Sequence, residues 1–230
     1  MRQLALPVRL RATSVFESFL AGSNADAVRQ LRSLAPGDRP PAIWLYGPHN
    51  AGKTHLLQAV CAMATKRGHS SAYLPLREVG TREATLLDGF ESLDILCLDD
   101  VDAIAGSAAW ERACFNLYRE LEERGGRLLV ATQSSPAATP IALRDLASRL
   151  AAGAVLRLQL LDDAEQIAAL TLRATQLGLE LPADTAHYLI RHLPRDMTQL
   201  CGVLETLDHA SLATQRRLTV PFVKQVLDKA

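Results

Sequence analysis

A glycine-rich segment at residues 47–57, GPHNAGKTHLL, constrains this chain more than any other stretch. It fits the pattern G-x-x-x-x-G-K-[ST], with Gly47, Gly52, Lys53 and Thr54 at the fixed positions. In this pattern the glycines let backbone N–H groups turn toward phosphate oxygens. Lys53 is placed to reach the β- and γ-phosphates of a nucleotide, and Thr54 to hold Mg²⁺ through its hydroxyl. The segment therefore predicts a phosphate-binding loop, or P-loop.

The flanking sequence has the form that a P-loop requires. Residues 42–46 (AIWLY) are an apolar run typical of a buried strand, and residues 53–66 have the apolar spacing of a helix. The phosphates would then lie at a helix N-terminus. A glycine-rich turn without a ligand is the alternative, and the joint presence of strand, loop, Lys-Thr pair and helix argues against it. The other predicted nucleotide contacts of the loop are Pro48, His49, Asn50, Ala51 and His55.

Composition excludes several classes of protein. A chain of 230 residues suits one large domain, or a core with a small appendage. Its 25 basic and 25 acidic residues cancel, which argues against a stand-alone DNA-binding protein. The 4 cysteines form no C-x-x-C pair and indicate neither a zinc site nor a disulfide framework. Without a membrane-spanning run or a secretory signal, we expect a cytoplasmic protein.

The order of the predicted elements divides the chain near residue 160. Before that point apolar runs alternate with helical patterns, which is typical of a parallel sheet covered by helices. The predicted strands are residues 42–46, 71–74, 94–98, 127–132 and 154–160, and the predicted helices are 25–34 (with Asn24 as N-cap), 53–66, 81–90, 110–124 and 143–150. Helical patterns alone follow, at residues 162–176, 182–193, 195–214 and 220–230. We therefore predict a tail at residues 1–10, an αβα core at 11–161 and an all-helical unit at 162–230.

The predicted strand at residues 94–98 leads into two acidic residues. Asp99, at the strand end, is a candidate Mg²⁺ ligand that would act with the P-loop. Asp100 occupies the place where many hydrolysing ATPases have a glutamate, and its shorter side chain would orient an attacking water less well. Asp100 is therefore a candidate catalytic group, and the alternative is that it only solvates the strand end.

The P-loop, the two acidic residues after the strand and a predicted helix carrying Ser148-Arg149-Leu150 occur together in one known family. Over essentially its whole length the chain resembles the DnaA-related AAA+ ATPases, and within them the regulatory Hda branch. Further matching segments are FESFLAGSN at 16–24, LASRLAAGAVLRLQLL at 146–161, LPRDMTQL at 193–200 and RRLTVPFVKQVL at 216–227. The resemblance implies an α/β fold, namely an AAA+ P-loop αβα sandwich with a five-stranded parallel sheet and a small all-helical lid domain. It also places Phe16 in the nucleotide-entry segment, beside the adenine.

The resemblance is to a regulator more than to an initiator. DnaA has an N-terminal helicase-loading domain and continues after its lid into a helix-turn-helix domain, and neither is expected here, since the sequence ends at Ala230. Residues 3–7 (QLALP) resemble the peptide with which the Hda branch docks on the β sliding clamp of DNA polymerase III. Gln3 would form hydrogen bonds, Leu4 and Leu6 would fill apolar pockets, and Pro7 would favour an extended form. A hydrophobic tail without a partner is the alternative.

Family position assigns roles to two arginines. Arg149 matches the arginine finger, which enters the nucleotide site of a neighbouring subunit and stabilises the transferring phosphoryl group; a surface ion pair with Asp145 is the alternative. Arg195 matches sensor 2, a lid arginine that contacts the phosphates; a solvated arginine at a helix start is the alternative. The sensor 1 segment is altered, with Ser134 and Ser135 where the family has Asp and Arg. The charged contacts of that segment are therefore lost, although Thr132 or Ser134 could still form a hydrogen bond with phosphate or water.

These resemblances imply a function. We expect a negative regulator of DNA replication initiation that holds ADP or ATP with Mg²⁺, docks on the sliding clamp and stimulates ATP hydrolysis by DnaA through Arg149. Its intrinsic ATPase activity would be weak at most, it would meet DNA only through the clamp, and a homodimer is left open. The alternatives are an autonomous AAA+ ATPase akin to helicase loaders, and a DnaA adaptor that uses nucleotide only for folding.

Overall fold

The computed structural model describes residues 13–36, 41–79, 83–194 and 196–228. The predicted clamp-binding residues Gln3, Leu4, Leu6 and Pro7 and the predicted lid arginine Arg195 lie outside these residues. Contacts divide the chain into two compact units. The first contains Ser23–Gln159 together with the described residues up to Phe16, and the second contains Glu17–Gly22 and Leu160–Ala230.

In the described part of the first unit, five parallel strands form one sheet in the order β2-β3-β4-β1-β5. The strands are β1 Ala42–Tyr46, β2 Ser71–Pro75, β3 Ile95–Asp99, β4 Arg127–Thr132 and β5 Ala154–Arg157. Parallel strands need long crossovers, and every residue of β3 and β4 is buried, as expected for a sheet covered on both faces. The predicted α/β class with a five-stranded parallel sheet is confirmed.

Helices cover both faces of this sheet. They are α1 Ala25–Arg32, α2 Lys53–Lys66, the short α3 Leu76–Val79, α4 Ala108–Glu123 and α5 Arg144–Ala151. Trp44 of β1, Leu98 of β3 and Val130 of β4 point into a core cluster with α4 and α5. Side chains alternate along a strand, so the intervening residues face the opposite side of the sheet, where α2 contacts β2, β3 and β4.

The register brings the carboxyl ends of three strands to one edge. Tyr46 at the end of β1 pairs with Thr132 at the end of β4, and Leu98 near the end of β3 pairs with Val130 of β4. Ligands of open α/β sheets bind outside the carboxyl ends of the strands. The loop after β1 and the acids after β3 therefore lie at the edge where a ligand is expected.

Two local predictions are wrong. Residues 81–90 are not a helix: their described part holds the 3-10 turn Ala84–Leu87 and then Gly89, whose φ of 96° ends helical geometry. Asn24 does not cap α1 with its side chain. It bonds instead to the backbone of Gln159, donating from Nδ2 to the carbonyl oxygen at 3.0 Å and accepting from the N–H at 2.8 Å. The Asn24 side chain thus bonds to a residue far along the chain and not to the first turn of α1.

The second unit is helical over its described residues. Its helices are α6 Asp163–Gln176, α7 Ala183–His192, α8 Met197–Thr214 and α9 Val220–Leu227. A capping box starts α6, since Asp162 Oδ1 accepts from the Glu165 N–H at 2.8 Å and Glu165 Oε2 accepts from the Asp162 N–H at 3.0 Å. Leu170, Leu204 and Phe222 lie in the core cluster of this unit.

The division differs from the predicted boundaries in two places. The prediction gives residues 11–161 to the core, whereas Glu17–Gly22 and residues 160–161 group with the helical unit. One contact that holds this segment there is a hydrogen bond from Gln176 Nε2 to the Glu17 carbonyl oxygen at 3.0 Å. Across the described chain, no helix has both the length and the apolarity to cross a bilayer.

Candidate functional site

The loop between β1 and α2 has the backbone of a phosphate cradle. Asn50 and Gly52 adopt left-handed conformations with φ of 64° and 90°. A glycine adopts this conformation without strain. Gly47 is required for a different reason: a Cβ there would lie 2.5 Å from the carbonyl oxygen of Leu158. Backbone conformation therefore explains Gly52, and close packing against Leu158 explains Gly47.

The start of α2 offers backbone donors to a phosphate. Gly52 precedes the helix and has no side chain to cap it. The first four N–H groups of any helix have no acceptor within the helix, and they carry the positive end of the helix dipole. In α2 the helical bonds begin with the Leu56 N–H, which donates to the Gly52 carbonyl oxygen at 3.0 Å. This arrangement fits the phosphates of a nucleotide.

Lys53 is held at the loop by backbone oxygens. Its Nζ donates to the carbonyl oxygens of Gly47 at 2.7 Å and Pro48 at 2.9 Å. Burial lowers the pKa of Lys53, while the nearby charges of Asp99 and Asp100 act in the opposite direction. The ammonium group thus lies beside the cradle, where it can contact phosphate oxygens.

Thr54 and Asp99 meet at the same place. The Thr54 hydroxyl donates to Asp99 Oδ2 at 2.6 Å, and the Tyr73 hydroxyl donates to the same oxygen at 2.9 Å. Burial raises the pKa of Asp99, and these two hydrogen bonds oppose the shift. A hydroxyl and a carboxylate, presented together beside a phosphate cradle, are the oxygen ligands that Mg²⁺ takes in nucleotide sites. The residues present therefore fit a Mg²⁺-nucleotide.

The candidate catalytic residue Asp100 is engaged by an arginine. Arg77 Nε donates to Asp100 Oδ2 at 3.0 Å, and Arg77 Nη2 lies 3.4 Å from Asp102 Oδ2. The hydrogen bond to Asp100 raises the pKa of Arg77. Asp100 itself has a left-handed backbone with φ of 53°. Its carboxylate is thus directed to a guanidinium on α3.

The remaining predicted contacts of the loop are placed as follows. Pro48 and His49 are exposed, Asn50 is half-buried and Ala51 is buried. His55 Nε2 lies 2.9 Å from the Val15 carbonyl oxygen and ties α2 to the segment before Phe16. Phe16 is buried, with the Arg32 guanidinium 5.1 Å from its ring centroid. Each of these residues lies in the first unit, and their predicted contacts with nucleotide stay predictions.

Thr132 uses its hydroxyl within the fold. It donates to the Ser134 carbonyl oxygen at 2.7 Å and accepts from Trp44 Nε1 at 2.7 Å. A hydroxyl has one proton to donate, so in this structure Thr132 has none for a phosphate. Ser134, the other residue considered for sensor 1, is exposed.

Arg149 lies on α5 and is presented outward. Its helix buries Leu146 and Leu150, while the Arg149 side chain is 56% exposed. Arg149 Nη1 pairs with Glu122 Oε2 of α4 at 3.8 Å, and not with Asp145 as the alternative interpretation held. Exposed ion pairs contribute only about 0–1 kcal/mol. The guanidinium can therefore leave Glu122 at little cost.

A buried carboxylate fixes the start of α5. Glu111 of α4 is 1% exposed and accepts from the N–H groups of Gly106 at 2.6 Å, Ala142 at 3.0 Å and Leu143 at 2.7 Å. Leu143 is the N-cap position of α5 and has no capping side chain of its own. Glu111 thus takes over the capping of the helix that carries Arg149.

Sequence reasoning missed Tyr73, Arg77 and Glu111. Each contacts a partner at least 23 positions away in the sequence, apart from the local bond of Glu111 to Gly106. One signal was available for Glu111, an acidic residue within the apolar face of a predicted helix. Charged residues are rarely fully buried unless they are paired.

Comparison with known proteins agrees with this fold. Residues 10–157 match the family model of the bacterial DnaA ATPase domain, and residues 163–227 match that of the Hda lid domain. Domain III of the replication initiation protein DnaA from Thermotoga maritima superposes with a TM-score of 0.79 at 20% identity, over 96% of this chain and 98% of that one.

Two other solved structures are similar in fold. AMPPCP-bound DnaA from Aquifex aeolicus has a TM-score of 0.70 at 22% identity, over 86% of this chain and 66% of that one. The RuvB Holliday junction branch migration motor from Thermotoga maritima has a TM-score of 0.66 at 13% identity, over 91% of this chain and 67% of that one. At these identities the structural likeness supports the fold alone. The matches to the two family models identify the family: the chain belongs to the DnaA-related AAA+ family, with a bacterial DnaA ATPase domain followed by a lid domain of the Hda type.

Proposed function

We propose that this protein is a negative regulator of DNA replication initiation that holds ADP or ATP with Mg²⁺ and stimulates ATP hydrolysis by DnaA. The observation that carries the proposal is the placement of Arg149, the candidate for hydrolysis in a neighbour's site. Its side chain is 56% exposed on α5, and its guanidinium pairs with Glu122 at 3.8 Å.

The nucleotide is held by the cradle at the start of α2. A bound Mg²⁺-nucleotide supplies the negative charge that compensates the helix dipole and the Lys53 ammonium. The backbone N–H groups would bind the phosphates, and Lys53, now bonded to the carbonyl oxygens of Gly47 and Pro48, would contact phosphate oxygens instead. Thr54 and Asp99, which meet in the structure, would hold the cation. Phe16 is proposed to lie beside the adenine of the bound nucleotide, and the role of Arg195 stays a prediction from family position.

Replacing Lys53 with alanine is expected to weaken ADP binding about 10–100-fold, because a charge-assisted contact with the phosphates contributes about 1.5–3 kcal/mol. The affinity is measured by calorimetric titration in the presence of Mg²⁺. Lys66→Ala is the matched control, since Lys66 is an exposed lysine at the far end of the same helix. Equal affinities of the Lys53 and Lys66 variants would contradict the assignment of the cradle.

Hydrolysis in this chain's own site is expected to be slow. A water-orienting carboxylate accepts a proton from the attacking water, and Arg77 competes with that water for Asp100 Oδ2. The one proton of the Thr132 hydroxyl is donated to the Ser134 carbonyl oxygen. We therefore propose that the bound nucleotide mainly stabilises the fold that presents Arg149, as a ligand selective for the native state does.

Arg149 is proposed to act on the ATP of DnaA. A planar guanidinium that enters a neighbouring site stabilises the charge that spreads over the γ-phosphoryl oxygens in the transition state. In the structure Arg149 pairs with Glu122 across an exposed surface of the first unit. Since this pair is weak, docking on DnaA can exchange the Glu122 carboxylate for a phosphate.

The N-terminal peptide is proposed to bring the protein to DNA in the cytoplasm through the β sliding clamp. Gln3, Leu4, Leu6 and Pro7 carry this part of the proposal, which rests on sequence. Docking would raise the local concentration of the regulator near DnaA on the same DNA, an effect of tethering that needs no further contact.

Replacing Leu4 and Leu6 together with alanine is expected to weaken clamp binding at least 100-fold, because anchor residues in apolar pockets contribute about 2 kcal/mol or more each. Binding is measured on immobilised clamp, and DnaA-ATP hydrolysis is measured with clamp on primed DNA. Leu10→Ala, a leucine outside the QLALP segment, is the control. Clamp binding by the double variant equal to that of the Leu10 variant would refute the docking peptide.

A further inference from the structure

Asp99 is held from several sides. Its Oδ2 accepts the Thr54 hydroxyl at 2.6 Å and the Tyr73 hydroxyl at 2.9 Å, and its Oδ1 accepts the Asp100 N–H at 3.0 Å. Thr54 belongs to the phosphate cradle, and the Asp100 N–H belongs to the backbone that follows β3. Tyr73 belongs to neither of these segments. It lies on the neighbouring strand β2, and the proposed function gives it no role.

The sheet explains why Tyr73 reaches Asp99. Strands β2 and β3 are parallel, and Tyr73 pairs in register with Cys97. Side chains two positions apart on a strand share a face, so Asp99 lies on the same face as Cys97 and within diagonal reach of a long side chain on β2. The same face is covered by α2, which contacts both strands.

The Tyr73 hydroxyl is buried together with its partner. Tyr73 is 9% exposed and Asp99 is 2% exposed. Burial and the neighbouring Asp99 raise the pKa of Tyr73, so the hydroxyl keeps the proton that it donates. Two hydroxyls, those of Tyr73 and Thr54, therefore donate to one carboxylate oxygen of Asp99.

We propose that Tyr73 is a positioning residue for the cation of the bound nucleotide: its hydroxyl keeps the Asp99 carboxylate in the orientation in which Asp99 and Thr54 together would hold Mg²⁺. A threonine hydroxyl can offer an oxygen lone pair to a cation and still donate its proton to Asp99. Without the Tyr73 hydroxyl, Asp99 Oδ2 would lose one of its two side-chain donors, the carboxylate would be less restrained, and part of the cation affinity would be lost. This inference rests on the proposed binding of a Mg²⁺-nucleotide.

The test uses Tyr73→Phe, which removes the hydroxyl and keeps the ring. The affinity for ADP is measured by titration with Mg²⁺ and again with EDTA in place of Mg²⁺. Groups that orient a metal ligand contribute about 10–100-fold to metal affinity. We therefore expect Tyr73→Phe to reduce the ratio of the two affinities about tenfold or more, with the affinity in EDTA unchanged, because Lys53 and the backbone donors are intact.

Tyr118→Phe is the matched control, since Tyr118 is another tyrosine buried in the first unit, 4% exposed and located on α4. It should leave the ratio as in the wild-type protein. In the background of Asp99→Asn, Tyr73→Phe should change the ratio no further, because residues that act through one another are not additive. Thermal unfolding of each variant shows that it is folded.

The outcomes separate this inference from the proposed function. An unchanged ratio in Tyr73→Phe, or an equal loss of affinity with and without Mg²⁺, would overturn the role of Tyr73 and leave the regulator intact. Wild-type protein whose ADP affinity does not respond to Mg²⁺ would overturn both this inference and the proposed cation site.

Discussion

Replacing Arg149 with alanine is expected to lower the stimulated rate of ATP hydrolysis by DnaA about 10³-fold, the lower end of the effect of arginine fingers in other NTPases. The reason is that alanine removes the guanidinium that would balance the charge of the transferring γ-phosphoryl group. The rate is measured in a single turnover of ATP preloaded on DnaA, with clamp on primed DNA. Binding of ADP by the variant should be unchanged, because Arg149 lies on α5 and the phosphate cradle lies at the start of α2.

Three companion variants make this prediction specific. Arg144→Ala removes an exposed arginine at the start of the same helix and should retain stimulation. Glu122→Ala removes the ion-pair partner of Arg149 and should also retain it, since the pair is proposed to open on docking. Arg149→Lys keeps the charge but loses the planar fork, and should be strongly impaired. Full stimulation of DnaA by the Arg149→Ala variant would refute the assignment of Arg149 as the arginine finger.

The largest effect on stability is expected from Glu111→Ala. The variant leaves three backbone N–H groups, those of Gly106, Ala142 and Leu143, without their acceptor. Each unsatisfied buried donor costs about 1–3 kcal/mol, so the free energy of unfolding should fall by about 3 kcal/mol or more. For a chain of this size the corresponding decrease in melting temperature is about 10 °C.

Glu120→Ala is the control for Glu111→Ala. Glu120 is exposed on the same helix, and surface substitutions usually change stability by less than about 0.5 kcal/mol. Since Glu111 also fixes the start of α5, its loss should reduce stimulation of DnaA even below the melting temperature. If both variants unfold alike, the buried carboxylate is not the cap of α5.

The strands and helices with strong local signals could be predicted from sequence. The bounds of β1, α2 and β4 agree with the predicted residues 42–46, 53–66 and 127–132. Apolar runs specify buried strands of a parallel sheet, and the P-loop pattern fixes where one strand ends and a helix begins. The prediction failed where a distant partner decided the local conformation, as at Asn24, which bonds to Gln159 at the end of the first unit.

The same limit applies to the candidate site. The P-loop residues and Asp99 could be identified because their roles follow from a motif and a strand end. The partners that set their behaviour are separated along the chain: Tyr73 from Asp99 by 26 positions, and Arg77 from Asp100 by 23. A sequence shows that Asp100 is shorter than the usual glutamate, but the engagement of its carboxylate by Arg77 depends on β2 lying beside β3.

If this protein completes a reaction in another molecule's site, the ATP that is consumed must be the ATP bound to DnaA. DnaA carries γ-labelled ATP, this protein carries unlabelled ADP, and both are combined with clamp on primed DNA. Release of labelled phosphate is expected to be rapid in the complete mixture and slow when this protein is omitted. No acceleration of DnaA's ATP hydrolysis, together with brisk ATP turnover by this protein alone that Lys53→Ala abolishes, would refute the proposed function and identify an autonomous ATPase.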